Sequence, residues 1–394
     1  MFEQELNKWL AKWRRPKLGY VGIVLVLVVA LVSIGVPTQA KEVYKDSPPV
    51  SSIENTLSTS LAGTNVIEQG KWNTYFYASP VRCKNGDILV FTAVGPEHAG
   101  NRVVIFRSTD NGVTWAGGVQ SNLVSWCNPS AIVLGSGRIL LVASRTAVGP
   151  RCYIWYSDDN GYTWSVLTTV GTGLSFIITS SNSLCSVGEN LRLLLTGTDI
   201  DGHSNEQAVI MYSDDLGGTW HELQRFAVEG QNISEPNIAK GVYVGSNLRE
   251  LVCVMRVGDA DTGVYISKSS DAGVSWGDMV YHPELVGSQP VIFSWEDRLI
   301  LNNRLKAWGG TAIYHSPDGV VWYGRKIFAE GLHSYISDSG QVHLRFVSGN
   351  FLELEPGILG FFYSIEHSIH PSDSTYWYDS GVYFTVVDHS WFVE

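Results

Sequence analysis

Ser108-Thr109-Asp110-Asn111-Gly112-Val113-Thr114-Trp115 decides the fold, because the chain repeats it. The pattern S-x-D-x-G-x-T-W returns at residues 157–164 (SDDNGYTW), 213–220 (SDDLGGTW) and 269–276 (SSDAGVSW), and in shortened form at 316–322 (SPDGVVW). Asp followed by Gly makes a tight turn: the carboxylate accepts backbone N–H bonds and Gly supplies a positive φ. Trp then buries its indole between neighbouring sheets. Each copy follows a β-rich run such as Val103-Val104-Ile105-Phe106 or Val264-Tyr265-Ile266-Ser267. The aspartates at 110, 159, 215, 271 and 318 are 49, 56, 56 and 47 residues apart, the size of a four-stranded propeller blade. The repeat therefore predicts an all-β, six-bladed propeller over residues 72–394, with each motif turning the third strand of a blade into the fourth.

Composition fits one large β domain. Hydrophobic residues make up 44% of the chain, and 14 Trp with 40 Gly supply core and turns, while only 16% charged residues leaves little for long solvated helices. The net charge of −11 is uneven: residues 1–17 carry five basic side chains against two acidic ones, which leaves −14 for the rest. So acidic a globular part excludes nucleic acid as a natural partner. Five scattered cysteines suggest no disulfide framework, with Cys127 to Cys152 as one possible bridge, and none has zinc-finger spacing. No metal or cofactor is expected.

Residues 18–40 contain no charge, and their centre is almost wholly aliphatic, long enough to cross a bilayer. Lys and Arg cluster on the N-terminal side, five within residues 8–17 against Lys41 and Lys45 just past the other end, so residues 1–17 are expected in the cytoplasm as a basic amphipathic segment and the propeller outside. Partners would then include the membrane, through this transmembrane helix. The alternative is a signal peptide cleaved near Ala40, giving a secreted protein. Residues 41–71, rich in Ser, Thr, Asn and Gly, read as a flexible tether.

Blades place the functional surface. First strands are marked by Ser79-Pro80, Asn128-Pro129, Glu235-Pro236 and Gln289-Pro290, and second strands end near Val94, Arg145, Asp199, Arg256, Arg304 and Tyr363. In a propeller these places converge at one mouth of the axial channel. Glu235, Asn128 and Gln289 are thus candidate site residues, as are Arg145, Arg256 and Arg304. A guanidinium is a fixed fork that grips a carboxylate, so several aimed at one cavity suggest an acidic ligand.

At these residues the chain resembles the Asp-box (BNR-repeat) proteins, the superfamily of sialidases and related six-bladed propellers. Ile233-Ser234-Glu235-Pro236-Asn237 is similar to the sialidase segment whose glutamate takes the proton of a nucleophilic tyrosine. Arg256 and Arg304 resemble that family's second and third carboxylate-binding arginines, with Arg145 as possible help. Tyr335, in Ser334-Tyr335-Ile336-Ser337, resembles the nucleophile segment, with Tyr363 as the alternative. Asp338-Ser339-Gly340 resembles a motif of bacterial relatives. The resemblance also has gaps. The family's first arginine, in a Tyr/Phe-Arg-Ile-Pro motif, is replaced in Tyr77-Ala78-Ser79-Pro80, and the loop holding the family's acid offers Glu97 and His98.

The resemblance implies an extracytoplasmic exo-glycosidase acting on a glycan with an acidic sugar. A sialoside carries a carboxylate on its anomeric carbon, which would repel a carboxylate nucleophile, so that chemistry calls for a neutral Tyr activated by Glu, with a separate acid for the leaving oxygen. Glu97 is the expected acid. The alternatives are a glycan-binding adhesin or receptor module without chemistry, and a lyase directed at uronic acids.

Overall fold

The computed structural model describes residues 64–69, 75–94, 102–124, 128–145, 151–170, 176–178, 180, 182–188, 192–200, 205–240, 250–258, 261–305, 310–328, 344–367 and 381–388. All belong to one compact unit spanning residues 54–394. The expected transmembrane segment 18–40 lies outside the described residues, among which no helix is long and apolar enough to cross a membrane.

Every described element is a β-strand. Tyr75–Arg82, Ile88–Val94, Arg102–Ser108 and Ala116–Val124 form one antiparallel sheet; Ser130–Val133, Ile139–Arg145, Arg151–Ser157 and Ser165–Val170 form the next. A third contains Phe176–Ile177 and Leu184–Val187, both paired with Arg192–Asp199, then Gln207–Ser213 and His221–Phe226. The last consists of Leu344–Glu355, Ile358–His367, Gly381–Asp388 and, as its outermost strand, Thr64–Gln69. These four sheets are separate blades.

The remaining sheet is seven-stranded, from Ile233–Lys240 through Tyr323–Phe328. Its middle strand, Val280–Trp295, pairs through its first half with Thr262–Ser269 and through its second with Arg298–Leu305. The expectation of six separate blades is corrected here: no turn interrupts residues 280–295, so ladder bonds run on from one meander into the next. The ring also takes in residues 64–69, which were expected in the flexible tether 41–71. Gly381–Asp388 pairs with Thr64–Gln69, whereas Tyr75–Arg82 is an innermost strand of the neighbouring sheet.

Innermost strands neighbour one another in a closed circle, from Tyr75–Arg82 through Ser130–Val133, Leu184–Val187, Ile233–Lys240 and Val280–Trp295 to Leu344–Glu355 and back. Side chains and backbone stitch the circle. Ala131 N donates to Ser79 Oγ and Leu184 N to Ser130 Oγ, each at 3.2 Å, while Ile292 N donates to Asn237 Oδ1 at 3.0 Å. The core lies between sheets: Leu89 and Phe91 pack with Ile139, Leu141 and Trp155, and Ala78 and Val90 with Leu354, Phe362 and Phe384.

The repeated motif acts as a turn and a rivet. In the third copy Ser213 Oγ donates to Asp215 Oδ1 at 2.7 Å, and Asp215 accepts from Thr219 N and Thr219 Oγ1, both at 2.8 Å. Trp220 Nε1 closes the turn on Gly217 O. The indoles then bridge sheets edge-on: Trp164 meets Phe91 at 5.6 Å, and Trp115 meets Phe384 at 5.8 Å.

These turns carry a pH signature. Thr219's backbone N–H, with the Ser213 and Thr219 hydroxyls, holds Asp215 down to about 2. The Ser275 hydroxyl and N–H, followed by the Ser269 hydroxyl, do the same for Asp271. A carboxyl whose pKa is lower folded than unfolded adds stability that is complete above its unfolded value, near 3.9, and is lost as pH falls through the folded one. Melting temperature should therefore drop steeply between about pH 4 and 2, and Asp271→Asn should flatten part of that slope. An unaltered slope in the variant would refute this.

Gly161 has φ 85°, and a Cβ there would lie 2.5 Å from Leu89 Cδ1. Gly161→Ala should cost about 1–3 kcal/mol in urea unfolding, since the backbone strain remains even if Leu89 moves.

Candidate functional site at the axial mouth

One irregularity recurs in the innermost strands. The ladder skips two residues between Phe76 and Ser79, between Ser234 and Asn237, between Ser288 and Val291, and between Val347 and Asn350. The skipped pairs are Tyr77-Ala78, Glu235-Pro236, Gln289-Pro290 and Ser348-Gly349. Tyr77, Glu235 and Gln289 have φ of 46°, 50° and 53°. Such backbone costs of order 1–3 kcal/mol per non-glycine residue, and bulges re-aim side chains. Asn128, two residues before Ser130, matches Glu235, two before Asn237.

The same register defines an equivalent position on each second strand. Phe76 faces Ala93, Ser234 faces Arg256, Ser288 faces Arg304 and Val347 faces Ser364. Ser144, two residues beyond the partner of Ser130, occupies it in the second sheet. The two sets meet: Glu235 N donates to Thr198 Oγ1 at 3.1 Å, and Arg256 Nη1 donates to Glu235 Oε1 at 3.0 Å.

Arg256 is engaged along its whole fork. Nε donates to Ser234 Oγ at 3.1 Å, Nη1 to Glu235, and Nη2 reaches Glu206 Oε2 at 3.5 Å. The side chains of Arg256 and Glu235 are each 9% exposed, and that of Glu206 is 35% exposed. Glu206 belongs to the preceding blade, where its N–H bonds Asn232 Oδ1 and its carbonyl accepts from Ile233 N. Arg304 differs. It is 6% exposed, and among the described residues it has no ion pair and its Nε no hydrogen-bond partner. Asn128 is buried, with Oδ1 likewise without a partner among the described residues.

Two expected site residues fall out of register. Tyr363 stands one residue short of Ser364, and strand alternation turns it into the core between blades, 1% exposed and stacked on Phe361 at 5.6 Å and Tyr383 at 5.7 Å. It is a packing residue. Arg145 stands one residue beyond the position that Ser144 holds. Asp199 carries an ion pair with Arg225 at 2.7 Å, and Cys152 is a free, buried thiol, so the possible bridge to Cys127 is not formed. Glu97, Tyr335 and Asp338 lie outside the described residues. Among the described residues no group of three or more His, Cys, Asp or Glu side chains has a metal-binding arrangement. Glu206 and Tyr77 were not foreseen: Glu206 has no local motif, and Pro80 drew attention two residues past the true bulge.

The model of the BNR/Asp-box repeat matches residues 155–166, which covers the second turn motif. A Hadza microbial sialidase superposes with a TM-score of 0.59 at 17% identity, covering 81% of this chain and 66% of that one. This chain carries Asp-box turns on the propeller fold that the sialidase also has. The α-L-arabinofuranosidase of Fusarium graminearum in complex with arabinobiose has the same architecture, with a TM-score of 0.60, 17% identity and coverage of 84% and 99%. A sialidase of Paraclostridium sordellii is 24% identical over 251 residues, 54% of this Asp-box propeller and 59% of that protein. The chain spans about three-fifths of the length of the curated relatives it matches. Glycoside hydrolases of differing substrate thus share this scaffold.

Proposed function

We propose that this Asp-box propeller is a glycoside hydrolase that binds a glycan with an acidic sugar at its axial mouth. Arg304 carries the reading. A buried guanidinium without a counter-charge among the described residues is costly, and a ligand carboxylate that meets its fork removes that cost. Glu235, strained at the bulge and held by Arg256, supplies the reactive carboxylate, with Asn128 and Gln289 on the same rim. In a sialidase-type reaction Tyr335 is the nucleophile and Glu97 the acid. Counting the seven-stranded sheet as two blades that share residues 280–295 gives a six-bladed ring. Residues 18–40 anchor the chain with the propeller outside the cytoplasm.

Full engagement of Arg256 by two carboxylates favours one rival, a glycan-binding module without chemistry. Incubating the full-length protein with fluorogenic sialosides and uronosides separates the two. Turnover that disappears in Glu235→Gln is expected. Glycan binding with no turnover of any of them would establish the rival.

A further inference from the structure

Glu206 and Glu235 share one guanidinium. Contacts of 3.5 and 3.0 Å to the Nη2 and Nη1 atoms of Arg256 bring two carboxyl groups to a single planar cation. Two carboxyls held by one guanidinium are near neighbours, as are the paired carboxyls of glycosidases, which stand roughly 5–9.5 Å apart. The two are not alike. Glu235 is almost fully enclosed and sits on strained backbone, whereas the Glu206 side chain is partly open to solvent, where a proton can be exchanged. An arginine used only to clamp a substrate would keep its fork free; this one is committed to organising carboxylates.

We infer that Glu206 is the second catalytic carboxyl of the site, and that the sugar cleaved is a uronoside, an acidic sugar with no carboxylate on its anomeric carbon. The inference rests on the proposed hydrolase function and deepens it. A Glu235 carboxylate oxygen attacks the anomeric carbon while the bond to the leaving oxygen breaks, and the Glu206 carboxyl gives its proton to that oxygen. Water then attacks the same carbon, returns a proton to Glu206 and releases Glu235. A sialoside is excluded because its anomeric carboxylate would face an ionised Glu235. A uronic acid carries its carboxylate at the far end of the ring, where Arg304 can take it.

Two variants of the full-length protein, Glu206→Gln and Glu235→Gln, test this against 4-nitrophenyl and alkyl uronosides and a fluorogenic sialoside. Wild type should turn over the uronosides and leave the sialoside untouched. Glu206→Gln should lose about 10²–10⁴-fold in kcat/KM on the alkyl uronoside, less on the nitrophenyl one, whose leaving group needs little protonation. It should also lose one limb of the pH profile. A 2-fluoro uronosyl fluoride should leave a covalent mass on the peptide that contains Glu235, an outcome readable in wild type even if a variant fails to fold. Sialoside turnover insensitive to Glu206→Gln would overturn the inference and leave the proposed hydrolase standing; turnover of no glycoside at all would remove both.

Discussion

Arg256→Met is expected to lower unfolding stability by about 3–5 kcal/mol, read as a shift of the urea midpoint at constant slope. The guanidinium and its partner Glu235 are each 9% exposed, 3.0 Å apart. Removing the cation leaves Glu235 with its charge in a poorly solvated place, and the Ser234 hydroxyl and Glu206 carboxylate lose a donor as well. Glu235→Met in the same background should recover much of the loss, because a well-packed apolar pair replaces a buried ionic one at little net cost. The cycle thus measures whether Arg256 exists to organise carboxylates. A single-variant loss below about 1 kcal/mol would mean that water already reaches the pair, and the electrostatic picture of the site would fail.

Much of the architecture was legible in five short turn motifs, because each writes a local rule into the chain. Ser and Asp side chains bond the backbone within a few residues of themselves, as Ser213 and Asp215 do, so a blade announces its turn without reference to distant partners. The fused middle sheet was not legible, since the fourth strand of one meander and the first of the next are joined by the absence of a turn. Closure by Thr64–Gln69 was hidden for a related reason. Its sequence, TNVIEQ, lacks a strong strand pattern and pairs only because Gly381–Asp388 presents an open edge.

The site divides in the same way. The strand positions of Glu235, Arg256 and Arg304 were legible because each lies where a strand pattern meets an X-Pro step or a polar strand end, and the register places both arginines at one repeat position. Tyr363 illustrates the limit: an error of a single residue in counting a strand exchanges a channel-facing side chain for one in the core. The double-residue bulge has no signature of its own, so Pro80 misled where Ala78 holds the place of Pro236 and Pro290. Glu206 meets Arg256 across a blade boundary, a contact that only tertiary structure creates.

Arg304→Met is expected to behave in the opposite sense to Arg256→Met. No described residue neutralises Arg304, so replacing it by a side chain of similar length removes a desolvation cost, and folding stability should hold or rise. Affinity should collapse. A buried, hydrogen-bonded charge pair between protein and ligand is worth about 2–5 kcal/mol when truncated, a factor of about 30 to several thousand in Kd for a carboxylate-bearing sugar. Arg304→Lys should fall between, because an ammonium keeps the charge but cannot present two parallel donors to one carboxylate. Titration of each variant with a uronic acid and with its uncharged methyl ester, followed by calorimetry, separates charge recognition from shape: the ester should bind wild type and Arg304→Met alike. Equal weakening of acid and ester would show that Arg304 supports the cavity wall, and the acidic-sugar reading would lose the observation on which it stands.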